Sequence, residues 1–343
     1  MVPKILLDID NAITMPAQDT DDALALALAL VSPEIELVGI TTCAGNCRTA
    51  QSTRNTLHLL EAADASRIPV IQGRSAPFIR DREPHFRYLE HKAAGPQARY
   101  WEHLPALPAP DLKPLAQPAH EFIIKTLARY PGEIIIIALG AFTNLALALL
   151  IEPGLADNIR QVVHMGGAFQ PSAGEPFVWS TPDIPDDIWQ TTLRFNTSFD
   201  PEASAVVFRS GAPLTFIPAN VTSRVFQRPD HLDRLRRIAA PFQQFLHDYS
   251  RPWVNWSIAE RKLPGAHMHD PLTVATTIDP TFCRWETFFV DHKIFLRGED
   301  PWLVPHPPGT PVQVATDVET ARFEAFLAER LCMPVRPSYR KRK

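Results

Sequence analysis

The opening of the chain constrains its fold more than any other stretch. Lys4 to Ile9 is a short, almost entirely apolar run that ends in Asp8-Ile9-Asp10. A run apolar on both faces must be covered on both, which is the pattern of a central parallel strand between helical layers. Asp22 to Leu30 is rich in Ala and Leu and reads as a helix, with the aspartates at 19, 21 and 22 suiting its positive end. Ile35 to Thr42 reads as a strand, Ala50 to Ala62 as a helix and Ile68 to Ile71 as a third strand. Residues 74 to 115, rich in Pro, Arg, His and aromatic residues, read as a long, partly helical excursion that covers something. The alternation then resumes with a helix near Ala119–Tyr130, a strand over Glu133–Leu139, a helix near Thr143–Leu150 and a strand over Gln161–Met165. Pro201–Arg209 reads as a helix, Pro213–Pro218 holds a strand, and Pro229–Tyr249 reads as one long helix. Another helix begins at Asp270-Pro271, and a β-rich stretch and a helix over Val318–Leu331 finish the chain. This order predicts an α/β fold with a single open, mainly parallel, Rossmann-like sheet flanked by helices. It predicts one domain over residues 1–335 and a basic C-terminal tail over 336–343.

Composition narrows the function classes. The chain has 343 residues, of which 45% are hydrophobic and 21% charged, which excludes global disorder, collagen and coiled coil. A net charge of −4 gives no electrostatic case for nucleic acid. No apolar run is long enough to span a bilayer and no signal-peptide core is visible, so the expectation is a cytoplasmic protein without a membrane partner. Cys43, Cys47, Cys283 and Cys332 show no zinc spacing and are expected as buried or partly buried thiols in a reducing compartment.

In open parallel sheets ligands bind beyond the carboxyl ends of the strands. There the chain places Asp8, Asp10, Thr41, Thr42, Asn46 and Thr143, with Asp21 and Asp22 opening the first helix and His269-Asp270 a later one. Two like charges about 4 Å apart cost roughly 4 kcal/mol at a protein-like dielectric, so such a cluster calls for protons, caps or a cation. All-oxygen carboxylate ligands suit Ca²⁺ or Mg²⁺ and not zinc. In one alternative, Asp21 and Asp22 cap the helix while Asp8 and Asp10 face solvent. In another, the DxD belongs to an aspartyl-nucleophile phosphatase of the haloacid dehalogenase type, although Asn11-Ala12 does not follow that pattern.

Six motifs in order carry a resemblance. They are Asp8-Ile9-Asp10 with Asp21-Asp22-Ala23-Leu24, Thr41-Thr42-Cys43-Ala44-Gly45-Asn46, Leu139-Gly140-Ala141-Phe142-Thr143-Asn144, His164-Met165-Gly166-Gly167, Phe195-Asn196 with Asp200-Pro201-Glu202-Ala203, and Met268-His269-Asp270-Pro271. Together they resemble the nucleoside hydrolase family, the inosine-uridine-preferring N-ribohydrolases. The resemblance implies the nucleoside hydrolase fold and hydrolysis of the N-glycosidic bond of a nucleoside or related N-riboside. It implies Ca²⁺ held by Asp10, Asp22, Asp270 and the carbonyl of Thr143, with Asp8 supporting the metal ligands from behind. Asp21, Asn46, Met165 and Asn196 would hold the substrate, and a homo-oligomer, dimer or tetramer, is implied. Loss of a base from C1′ builds an oxocarbenium-like transition state, which carboxylates stabilise. A dication acidifies water beside it, and Asp10 can take the proton as general base. His269 is placed as general acid, or as a stacking and hydrogen-bonding group for the base. A nucleoside- or ribose-binding homologue without turnover is a further alternative.

The chain also departs from the family. The loop between Asp10 and Asp21 is enlarged, and the usual His-Gly segment after the third strand is replaced by Pro84-His85-Phe86-Arg87-Tyr88-Leu89-Glu90-His91, which can rebuild the base-side wall. Ile188 and Arg194 stand where the family binds the ribose 5′-hydroxyl. Trp189, with Trp179 and Phe177, offers stacking to a base, as do Trp253 and Trp256. A guanidinium at 194 favours an anion, such as a 5′-phosphate, unless it pairs with Asp186 or Asp187. Hydrolysis rates of a nucleoside and its 5′-monophosphate separate the two: faster cleavage of the monophosphate is expected from an anion-binding Arg194, and a strong preference for the free nucleoside excludes it.

Overall fold

The computed structural model describes residues 2–167, 195–290 and 309–340. Burial of apolar runs sets its centre. Strand β1 (Lys4–Ile9) alternates its faces between two cores. Leu6 packs with Ile136, Val162 and Phe216 on one side of the sheet, and Ile5, Leu7 and Ile9 with Leu24, Leu28 and Ile40 on the other. Next to it, β4 (Ile134–Ala138) is the run IIIIA and is buried throughout. With β2 (Glu36–Thr42), β3 (Val70–Gln72), β5 (Ile159–Met165), β6 (Leu214–Ile217), β9 (Cys283–Val290) and β10 (Thr310–Val318) these strands form one sheet, ordered β3-β2-β1-β4-β5-β6-β10-β9, while β7 (Phe226–Gln227) and β8 (Ala266–His267) pair separately. The pairings are parallel except for β9 against β10 at the edge. The chain goes outward from β1 through β2 to β3, then returns to lay β4 on the other side of β1. That reversal opens a crevice at the carboxyl ends of β1 and β4, the usual ligand position in open α/β sheets.

Helix α1 (Asp21–Val31) has the sequence DDALALALALV and is buried at every residue, so it lies inside the molecule and packs against the helix His269–Ile278. Helix α2 (Thr49–Ala62) follows β2, α3 (Glu83–Ala93) lies within the 74–115 excursion, α4 (Ala119–Arg129) precedes β4, and α5 (Thr143–Ile151) follows it. Among the described residues no helix is long and apolar enough to cross a membrane. The four cysteines are free thiols, three of them buried.

Two expectations are corrected. The stretch expected as one helix from Pro229 to Tyr249 is two, Pro229–Arg236 and Pro241–Ala259. Pro241 has no N–H to continue the first helix but suits the first turn of the next. Within the stretch expected as a tail from residue 336, Tyr339 is anchored. Tyr339 is 4% exposed, and its hydroxyl accepts a hydrogen bond from the Leu37 amide at 2.9 Å, which docks residues up to there on the edge of β2.

His164 on β5 shows how completely this sheet is dried. Its ring stacks on Phe142 at 4.0 Å and meets Phe216 edge-on, Nδ1 donates to the Ala138 carbonyl, and Nε2 has no partner among the described residues. Burial pushes its pKa from 6.5 to about 3. The unfolded chain therefore takes up this proton first. The ring's share of stability is full above pH 6.5 and declines as pH falls toward 3, by at most about 1.4 kcal/mol per pH unit. Imidazole NMR shifts followed from pH 7 to 4 are expected to show His164 neutral throughout; a midpoint near 6 would contradict this.

Candidate active site

The carboxyl ends of β1 and β2, the start of α1 and the start of the helix His269–Ile278 meet beneath one cavity of about 570 Å³. Carboxylate oxygens of Asp21, Asp22 and Asp270 come within 4.8 Å of one another. Asp21 Oδ2 accepts from the Asp270 amide at 3.0 Å across 249 residues of sequence. Asp10 adjoins this trio: its amide donates to Asp22 Oδ1 at 3.1 Å, and its own Oδ2 accepts from the Asn46 amide at 2.7 Å. The Asn46 side chain spans Asp10 and Asp22 at 3.5 Å to each. Asp8 sits behind, 1% exposed, holding Thr41 Oγ1 at 2.7 Å and Asn144 Nδ2 at 2.9 Å.

These acids are costly as they stand. Burial raises all five above the ordinary carboxylate range, Asp8 to about 7 and Asp10 to about 6. Asp21, Asp22 and Asp270 stand well above it, from burial first and then from neighbouring carboxylates. Asp270 Oδ1 is buried with no hydrogen-bond partner among the described residues. An orphaned oxygen amid converging carboxylates fits a hard divalent cation, which supplies the missing positive charge. The arrangement excludes the reading in which Asp8 and Asp10 face solvent, since both are buried.

Asp21, Asn46, Met165, Asn196, His269 and Asp270 line the cavity, so most of the expected substrate residues share one surface. Asn196 Nδ2 donates to the carbonyls of Leu139 at 2.5 Å and Met165 at 3.0 Å, which ties its amide to the ends of β4 and β5. His269 Nδ1 pairs with Thr222 Oγ1 at 2.6 Å, and burial lowers its pKa to about 4. Thr143 begins α5, and its hydroxyl donates to Asp200 Oδ2 at 2.7 Å. Ile188, Trp189 and Arg194, with Phe177 and Trp179, lie outside the described residues.

The replacement segment after β3 does build a wall. His85 on α3 lines the cavity and its Nε2 donates to the Gly45 carbonyl at 3.1 Å. Arg48 braces the same helix through Glu83 and Glu90. Lys92 and Arg261 also line the cavity, and neither carried a motif. For Lys92 a signal existed: His85, Tyr88, Leu89 and Lys92 follow helical spacing and share the cavity face.

With this geometry, a family model described as inosine-uridine preferring nucleoside hydrolase matches residues 5–325. The chain belongs to that family. A protein named probable uridine nucleosidase 2 from Arabidopsis thaliana is 32% identical over 278 residues, covering 81% of this chain and 78% of its own length. The pyrimidine-specific ribonucleoside hydrolase RihA of Enterobacter sp. (strain 638) is 32% identical over 340 residues, covering 96% of this chain and 98% of its own. Among solved structures, the plant nucleoside hydrolase PpNRh1 superposes with a TM-score of 0.76 at 29% identity, over 97% of this chain and 100% of that one. This nucleoside hydrolase family member is accordingly an N-glycosyl hydrolase.

Room for Asp10 is made by glycine. A Cβ on Gly45 would lie 1.8 Å from Asp10 Oδ2 and 2.8 Å from its Cγ. Gly45→Ala must therefore displace Asp10 while sparing the core. A cation that binds only the folded protein stabilises it by about 2.7 kcal/mol at a hundred times its Kd. Addition of Ca²⁺ is expected to raise the thermal midpoint of the wild type, and Gly45→Ala to shrink that shift. Equal shifts would show that Asp10 is not coupled to the cation.

Proposed function

We propose that the protein hydrolyses the N-glycosidic bond of ribonucleosides with Ca²⁺ as its cation. The observation that carries this is the convergence of Asp21, Asp22 and Asp270, with Asp21 and Asp270 on the lining of a cavity and Asp10 hydrogen-bonded to Asp22. Asp10, Asp22, Asp270 and the Thr143 carbonyl are the proposed ligands, and Asp21 the acceptor for a ribose hydroxyl. Bound Ca²⁺ supplies positive charge that neutralises the carboxylates, holds sugar hydroxyls and acidifies water.

The chain's own residues then act as follows. Asp10, fixed by the Asn46 amide, takes the proton from water as its oxygen bonds C1′. The C1′–N electron pair leaves with the base. The surrounding carboxylates favour the positive charge that develops on the sugar. Asn46, Met165 and Asn196 position the ribose, and His269 meets the leaving base as acid or as hydrogen-bonding partner. Asp8 keeps Asp10's strand in place through Thr41 and Asn144 rather than reacting. The names of the relatives span uridine, pyrimidine and purine preferences and leave the base open.

Asp10→Asn is expected to lower kcat for uridine or inosine by about 10²–10⁴-fold. A rate equal to wild type removes Asp10 from this role. A wild type that binds ribosides but releases no ribose would be a binding protein instead.

A further inference from the structure

One wall of the cavity has a chemistry that the sugar and cation do not use. The helix Pro241–Ala259 presents Trp253 and Trp256, whose rings stack at 4.7 Å and 23°. From α3, Lys92 Nζ lies 5.2 Å from the Trp256 ring centroid. The Arg261 guanidinium, just past the end of the tryptophan helix, lies 5.6 Å from Trp256 and 6.0 Å from Trp253. Two cations thus share one pair of indoles. Lys92, Trp253, Trp256 and Arg261 all line the cavity.

An indole face accommodates a cation, but two on one stack leave repulsion between them. Burial and the Arg261 charge push Lys92 down to about 8. Glu260, the acid next to Arg261, is taken by Arg99 at 2.5 Å and Tyr100 at 2.8 Å. Among the described residues Asp19, also on the lining, attracts both cations. An anion brought to this wall would gain charge-assisted hydrogen bonds and relieve the repulsion. The same anion at the carboxylate floor would be repelled. A substrate with negative charge is therefore oriented by the cavity, sugar to the carboxylates and charge to Lys92 and Arg261.

We propose that Lys92 and Arg261, set on the Trp253–Trp256 stack, form a subsite for a planar aglycone that carries negative charge, so that ribosides of acidic heteroaromatic bases are substrates. Trp256, part-buried on the lining, offers aromatic contact to a flat ring, and the cations suit a carboxylate on it. The proposal rests on the ribohydrolase reading above and adds the class of leaving group. The bond changes are those already given: water's oxygen bonds C1′, its proton goes to Asp10, and the C1′–N pair stays on the ring nitrogen.

The test uses nicotinate riboside and nicotinamide riboside, which differ only in carboxylate against carboxamide. Hydrogen bonds to a charged group are worth about ten- to a hundredfold in affinity. The wild-type kcat/KM ratio is expected to favour the carboxylate by about tenfold or more. Lys92→Gln is expected to bring the ratio near one, and Lys92→Arg to retain it. Because both substrates meet the same preparation, loss of folded protein cancels in the ratio. A wild-type ratio near one, or a ratio that Lys92→Gln leaves unchanged, overturns the proposal. If uridine and inosine are cleaved while the ratio is near one, this inference alone fails. If no riboside is cleaved, the ribohydrolase reading fails and takes this inference with it. If Lys92→Gln instead abolishes a preference for uridine 5′-monophosphate over uridine, the cations read a phosphate and the aglycone assignment is wrong.

Discussion

The structure depends on holding carboxylates together where water cannot screen them. Asp10, Asp21, Asp22 and Asp270 are each no more than 3% exposed. Buried charges without partners cost several kcal/mol each, so the fold must give them something in return. It gives backbone amides: Asp10 to Asp22, Asn46 to Asp10, and Asp270 to Asp21. It also gives the amino end of α1, where Asp21 and Asp22 stand in the first turn. These donors are too few to satisfy four carboxylates, and the remaining deficit is what a divalent cation removes.

Such a cluster survives only on a rigid support. Helix α1 is buried along its whole length, and β1 and β4 lie at the centre of the sheet. Gly45 and Gly140 leave space that any side chain would fill: a Cβ on Gly140 would meet Cys43 Sγ at 2.4 Å and Asp10 Cγ at 3.2 Å. The wall formed by α3 is tied differently, through exposed Arg48–Glu83 and Arg48–Glu90 pairs and a patch of Phe86 with Phe199. Exposed ion pairs contribute little, so this wall is easier to reshape than the floor. Chemistry on the rigid part and recognition on the adjustable part is a division that lets one reaction serve different bases.

Most of the fold was legible because its strands are short apolar runs and its site residues fall at their ends. β1, β2, β4 and β5 lie where Lys4–Ile9, Ile35–Thr42, Glu133–Leu139 and Gln161–Met165 place them, within two residues. The break at Pro241 was missed because the apolar spacing continues across it. Docking of Tyr339 was hidden by the basic residues around it, which masked one aromatic anchor with a buried hydroxyl. Within the site, the family resemblance implied Asp10, Asp22 and Asp270 as a set, whereas the tightest cluster is Asp21, Asp22 and Asp270, with Asp10 joined through Asp22. Two adjacent aspartates in a first helical turn both turn inward only because α1 is enclosed on all sides. Lys92 carried only the helical spacing it shares with His85, Tyr88 and Leu89, a weak signal because α3 buries only Phe86, and Arg261 follows the end of a helix with no motif.

Register explains why Asp8 and Asp10 cannot exchange roles. Side chains two apart on a strand share a face, and Leu6 fixes that face to the core containing Ile136 and Val162. Asp8 is still within the strand, paired across to Thr41 and Ala138, so its carboxylate is enclosed by neighbouring strands, with Oδ1 held by Thr41 and Asn144 and Oδ2 without a hydrogen-bond partner among the described residues. Asp10 lies one residue past the strand's end, still fully buried, but there the Asn46 loop reaches its carboxylate and its amide meets Asp22. A slip of one residue would send Leu6 to the opposite core and turn both aspartates away from the cluster. The apolar residues of β1 therefore do more than fill the interior: by fixing register against β2 and β4 they determine which aspartate faces the cation cluster and which one only supports it.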